Sequence, residues 1–151
     1  VKLAPVTTPS ADLIDAYLVH LRQLDRSPRT IAERRRILTQ ADAELPVGLE
    51  AADEHELRTW LYRDGWLRST KATYLTALRS FYRWAVDLAP HAIGLHTNPT
   101  VRLERPRPPR GRPRPVTDEQ LGQLLARCVE PYRLWVLLAA YAGLRCIEIS
   151  R

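Results

Sequence analysis

An arginine and a carboxylate stand one helical turn apart near the end of this 151-residue chain. They are Arg145 and Glu148, in the segment "AYAGLRCIEISR" from Ala140 to Arg151. At that spacing the carboxylate can fix the guanidinium and leave part of its planar fork free, and a fork so held suits a phosphate. The preceding stretch, Tyr132 to Gly143, is nearly uncharged, with Arg133 its one arginine. An arginine at the end of a buried apolar helix is costly unless an anion meets it. Spacing alone leaves two readings open: a purely structural Arg–Glu pair, which it favours, and a phosphate clamp.

Two other constellations combine hydroxyls with cations. Thr73, Thr76, Arg79, Ser80 and Arg83 recur at intervals of mostly three and four residues, opposite Leu75 and Leu78, with Lys71 just before them. Ser27, Arg29, Thr30, Arg34 and Arg36 gather where a helix should begin, and the free amides of a helix start favour an anion. Either stripe alone reads best as a solvated face. Together with the basic run "RLERPRPPRGRPR" they point to a phosphate backbone. That run, Arg102 to Arg114, holds six arginines, four prolines and one glutamate, and includes Arg107, Arg110, Arg112 and Arg114. Proline removes backbone donors, so an extended cationic linker is expected, neither helical nor buried.

The whole composition leans the same way. There are 23 Lys+Arg against 17 Asp+Glu, a net charge of +6, and Lys2 and Lys71 are the only lysines. Arginine's fork matches phosphate, which favours a nucleic-acid partner. His20, His55, His91 and His96 complete no metal-ligand spacing with Cys128 and Cys146, and no metal is expected. The two cysteines should be reduced and packed. With no apolar run of membrane-spanning length and no secretory signal, a cytoplasmic protein is expected. Because the chain lacks methionine, Val1 should be a processed, alternative or excised start.

These residues need helices to position them. Leu13, Ile14, Tyr17, Leu18, Leu21 and Leu24 are spaced for a first helix, opened by Pro9-Ser10. Ser27-Pro28 supplies an N-cap and a first-turn proline for a second, with Ile31, Leu38 and Leu45 on one face. Asp53 and Glu56 form a capping box for a short third helix carrying Leu57, Trp60 and Leu61 and stopping near Gly65. A fourth spans about Ser69 to Leu88, with Leu75, Leu78, Phe81, Tyr82 and Ala85 inward. Beyond the basic run, Thr117 and Gln120 cap a helix bearing Leu121, Leu124, Leu125 and Cys128 on one side. Another follows Pro131, apolar almost all round, and ends at Gly143. Such a helix is normally enclosed by a surrounding domain. The fold class is all-α: a four-helix domain over residues 1–100, a linker over 101–116, and the start of a second domain over 117–151.

Five segments, in order, resemble the tyrosine recombinases of the phage-integrase family. "AGLRCIE" is similar to the family's first arginine box. "SPRTIAERRR" resembles its Ser-x-x-Thr opening of the second core-binding helix, and "STKATYLTALRSFYRWAV" its fourth helix. "TNPT" matches the Asn-Pro that closes that domain, and "RPVTDEQLGQLL" the start of the catalytic domain. The resemblance covers roughly residues 10–151. It implies a SAM-like core-binding domain, double-stranded DNA and other recombinase protomers as partners, and a nucleoid-associated bacterial or phage-encoded protein. It also implies recombination through a 3′-phosphotyrosyl link, with no metal or nucleotide cofactor. Arg145 would be the first catalytic arginine and Glu148 its supporting carboxylate. All six tyrosines precede Arg145, so the family's nucleophile has no counterpart here and the chain alone is expected to bind DNA without cutting it. The alternatives are a stand-alone helical DNA-binding regulator and a helical protein-interaction module.

Overall fold

The computed structural model describes residues 10–87, 97–107, 111 and 114–150. The backbone divides into two compact units, residues 1–109 and 110–151. Among the described residues all regular structure is helical.

In the first unit α1 (Ser10–Gln23) buries Leu13, Ile14, Tyr17, Leu18 and Leu21, the expected i, i+3, i+4 face. Leu24 departs from expectation. The helix ends one residue earlier, Asp25 turns the backbone into the left-handed region at φ 52°, and Leu24 is left 51% exposed. The amides of Asp25 and Arg26 close this end on the carbonyls of Arg22 and Leu21.

Helix α2 (Pro28–Glu44) starts as its sequence dictates, with Ser27 accepting the Thr30 amide at 3.2 Å and Pro28 in the first turn. Its buried residues are Ile37, Leu38 and Ala41, while Ile31 packs at the margin. A four-residue helix, α3 (Gly48–Ala51), follows and buries Leu49. Helix α4 (Glu54–Tyr62) carries the Asp53–Glu56 capping box and buries Leu57, Trp60 and Leu61. Gly65, at φ 83°, turns the chain into α5, a conformation that costs an L side chain about 1–2 kcal/mol.

Helix α5 (Arg68–Asp87) is the central element, touching α1, α2 and α4. All five of its expected inward residues are buried. The end expected at Leu88 lies outside the described residues. The core is one cluster drawn from α1 to α5, with Tyr17 meeting Phe81 edge-on at 5.6 Å. It also contains Leu103, 1% exposed. The basic run therefore does bury a side chain. Asn98 makes this possible, because its Oδ1 accepts both the amide (2.9 Å) and the hydroxyl (2.6 Å) of the buried Thr100 and turns the chain inward.

The second unit holds α6 (Asp118–Arg127), α7 (Tyr132–Tyr141) and α8 (Cys146–Ile149). The Thr117–Gln120 capping box opens α6 as expected. Gly143, at φ 66°, stops α7. None of the three helices has a buried residue: Leu124 is 45% exposed, Leu134 51% and Tyr141 77%. The cysteines are free, but packing does not describe them, since Cys128 is half-buried and Cys146 exposed.

Candidate nucleic-acid interface

Three of the residues singled out for phosphate contact converge on one groove. Arg34 from α2, Ser69, Thr73 and Thr76 from α5, and Arg105 line a common space of about 320 Å³. Helix capping explains half of this arrangement: Ser27 and Pro28 fix where α2 begins and hence which residues of its second turn look toward α5. The two threonine hydroxyls donate back along their own helix, Thr73 to the Ser69 carbonyl at 3.0 Å and Thr76 to that of Ala72 at 2.8 Å. Arg34 has no salt bridge among the described residues, and it is half-buried rather than freely solvated.

The remaining residues divide. Arg29 and Thr30 are exposed at the start of α2, where the Thr30 hydroxyl lies 2.9 Å from that of Ser27. Arg36 is engaged instead: it donates to Glu33 at 3.0 Å and to the Tyr74 hydroxyl at 3.0 Å, and its guanidinium lies over the Tyr74 ring at 5.5 Å. Lys71 donates to the Tyr62 carbonyl at 3.0 Å, satisfying the C-terminal end of α4. Arg79 donates to the Leu103 carbonyl. Ser80 accepts from the Tyr17 hydroxyl at 2.7 Å. Arg83 stays 82% exposed with a loose 3.5 Å contact to Asp87, and lines a second groove with Arg26, His20 and Trp84. Arg107 borders a cleft of about 980 Å³ with Arg68 and Lys71. Arg114 is exposed in the second unit, and Arg110 and Arg112 lie outside the described residues.

Ser69 and Arg26 were not singled out in the sequence, and Arg105 entered only as one of the six arginines of the basic run. Their only signal was charge or a hydroxyl near a stripe, and their grouping depends on how α2, α5 and the segment after Thr100 meet.

In the second unit Glu148 binds Arg145 twice. Its Oε2 accepts the Arg145 amide at 2.7 Å, capping α8, and its Oε1 lies 3.3 Å from Nη1. The rest of the guanidinium is open, with the side chain 82% exposed. The backbone bond sets the carboxylate, and the carboxylate sets the fork. Such an exposed pair stabilises the fold by at most about 1 kcal/mol, so orientation is its larger consequence. Tyr17, Tyr74 and Tyr82 are buried in the first unit's core, Tyr62 is half-buried, and Tyr132 and Tyr141 are exposed. Among the described residues no three His, Cys, Asp or Glu side chains are grouped as metal ligands, and no helix is long and apolar enough to cross a membrane.

No protein-family model matches the chain. It is 35% identical over 79 residues to the tyrosine recombinase XerD of Neisseria meningitidis, in strains of serogroups A and B. That match takes in 52% of this chain and 25% of the XerD length. The structure superposes on the integrase from mycobacterium phage Brujita with a TM-score of 0.60 at 30% identity, over 91% of this chain and 47% of the integrase.

Proposed function

Because the chain belongs to the tyrosine recombinase/integrase family, we propose that its first unit is the part of a site-specific recombinase that grips duplex DNA. The observation that carries this reading is the groove in which Arg34, Ser69, Thr73, Thr76 and Arg105 converge. Two cations and three hydroxyls facing one space suit a phosphate oxygen cluster and little else. On binding, Thr73 and Thr76 exchange a helix carbonyl for a phosphate oxygen. Arg29 and Thr30 at the start of α2 and Arg83 on α5 extend the contact along the backbone. Lys71 and Arg79 contribute through the backbone carbonyls they hold.

Arg145, oriented by Glu148, is the first of the arginines that would neutralise the non-bridging oxygens of the scissile phosphate in a complete recombinase. There a tyrosine attacks that phosphate to give a 3′-phosphotyrosyl link, and protomers assemble on the DNA. In that reading Arg145 stabilises charge on the phosphate, and the attack of the tyrosine breaks the bond.

Salt-dependent binding of a duplex tests the reading. Removing one cation from a phosphate should reduce the slope of log K against log salt by about one unit. Arg34→Ala is expected to weaken binding and flatten the slope by that amount. A chain that binds a protein partner through a solvated basic face would show neither effect on DNA, and that result would return the protein-module alternative to first place.

A further inference from the structure

Where the chain leaves the helical bundle, three consecutive backbone carbonyls are each held by a side chain of the bundle. Arg58 Nη2 donates to the Arg102 carbonyl at 3.5 Å, Arg79 to that of Leu103, and the Tyr62 hydroxyl to that of Glu104. The donors come from α4 and α5. Leu103 is at the same time sunk in the core. A carbonyl at the surface is ordinarily satisfied by water, so three neighbouring ones taken by ordered side chains serve geometry more than energy.

The sequence just beyond makes that geometry matter. Arg105 precedes Pro106 and Arg107 precedes Pro108. Proline fixes its own φ and confines the residue before it to extended conformations. A segment this stiff transmits the direction of its base to its arginines. With residues 102–104 held, Arg105 arrives in the groove of Arg34, Thr73 and Thr76, and Arg107 in the cleft beside Lys71.

We propose that Arg58, Tyr62 and Arg79 are positioning residues. They pin the base of the basic segment so that Arg105 is presented to the same phosphates as Arg34. This rests on the DNA reading above, and it gives Arg79 a role through Leu103 in place of direct phosphate contact.

Tyr62→Phe is the sharp test, because it removes one hydroxyl and no charge. In the whole chain it should weaken duplex binding and lower the salt slope by about one unit, as Arg105→Ala does. In an Arg105→Ala background, neither Tyr62→Phe nor Arg79→Met should have a further effect, since their route to the DNA is already gone. Additive effects, or an unchanged slope in Tyr62→Phe, would overturn the inference. The outcome for Arg34→Ala separates the two levels. If it still weakens binding while Tyr62→Phe does not, the positioning idea alone fails; if it has no effect, the DNA reading fails with it.

A second readout needs no DNA. Trypsin should cut the Arg102–Leu103 bond slowly in the parent chain and several-fold faster in Tyr62→Phe and Arg79→Met, with the helical circular dichroism unchanged. Equal cleavage rates would show that the carbonyl bonds pin nothing.

Discussion

The hydroxyl of Tyr82 on α5 donates to the backbone carbonyl of Leu49 on α3, 2.6 Å away, and both residues are fully buried. Asp42 holds the other side of the same residue, accepting the Leu49 amide at 2.9 Å. Together these bonds fasten a four-residue helix that has no side-chain cap of its own. Burial pushes the Tyr82 phenol well above its ordinary pKa, and the nearby carboxylates of Asp42 and Glu56 add to the effect, so it stays a neutral donor. Tyr82→Phe keeps the ring and strands the carbonyl. A loss of about 1–3 kcal/mol is expected, read as a lower denaturation midpoint with duplex affinity unaltered.

Glu44 links α2 to the α4–α5 corner and should make the first unit sensitive to acid. Its carboxylate accepts from Gln40 at 3.0 Å, from the Trp60 indole at 2.8 Å, and from Arg63 at 2.7 Å. Arg63 in turn covers the Trp66 ring at 3.9 Å. The Gln40 bond first, then those of Trp60 and Arg63, hold the Glu44 pKa below its ordinary 4.5. Glu33, bonded to Arg36, is lowered in the same direction. A carboxyl whose folded pKa is depressed contributes stability above its unfolded pKa and loses it as pH falls through the folded value. Unfolding midpoints measured from neutral pH downward should therefore drop below about pH 4.5. Glu44→Gln should be less stable at neutral pH and show a shallower acid decline. An identical decline in both proteins would mean that this cluster does not govern it.

The first unit was legible where chemistry leaves a periodic or capping signature. Leu13 to Leu21, Ser27-Pro28, Asp53–Glu56 and the Leu75–Ala85 face each announce a helix, and each forms one. Helix α3 is too short to show a period, and the burial of Leu49 together with its bonds to Tyr82 and Asp42 holds it in place. Leu103 was hidden by its neighbours: a leucine among arginines and prolines reads as linker until the turn at Asn98 aims it inward. The bond of Arg79 to the Leu103 carbonyl was hidden for a related reason. A carbonyl partner has no side chain to advertise it, so an arginine satisfied by backbone looks the same in sequence as one waiting for a phosphate. The Arg145–Glu148 pair was legible because both partners carry side chains at a fixed spacing on the chain.

Covalent chemistry gives a direct check on the reading of the tyrosines. A duplex nicked near its cleavage site traps phosphotyrosyl adducts if a nucleophile is present. The purified chain is expected to form none, with or without Arg145→Ala. Tyr132 and Tyr141 are the exposed candidates in the second unit, at 56% and 77%. An adduct that disappears in Tyr141→Phe would show that a tyrosine before Arg145 can attack, and would overturn the assignment.

The second unit poses the sharpest question of stability. Helices α6 to α8 bury no residue, yet α7 is the most apolar of the longer helices among the described residues, with Leu134 51%, Trp135 38% and Tyr141 77% exposed. Apolar side chains left in water forfeit about 1.5–3 kcal/mol each relative to burial. Three or four of them approach the whole stability of a small domain. A ten-residue helix is marginal in water without tertiary support, and here support comes from the capping box of α6, the Tyr132–Trp135 edge contact at 5.5 Å and the turn at Gly143. These are worth little against the exposed area. In a dilute sample the amides of Leu134 to Tyr141 should therefore exchange with solvent far faster than those of Leu75 to Tyr82, whose helix is walled by the core. Raising the protein concentration should slow that exchange, because another copy is the readiest cover for an apolar face. Replacing Leu134 and Trp135 with polar residues should abolish the concentration dependence and leave α5 protected. Strong protection of Leu134 to Tyr141 at every dilution would show that the unit buries this face within the single chain, and that Arg145 is held more firmly than its surroundings account for.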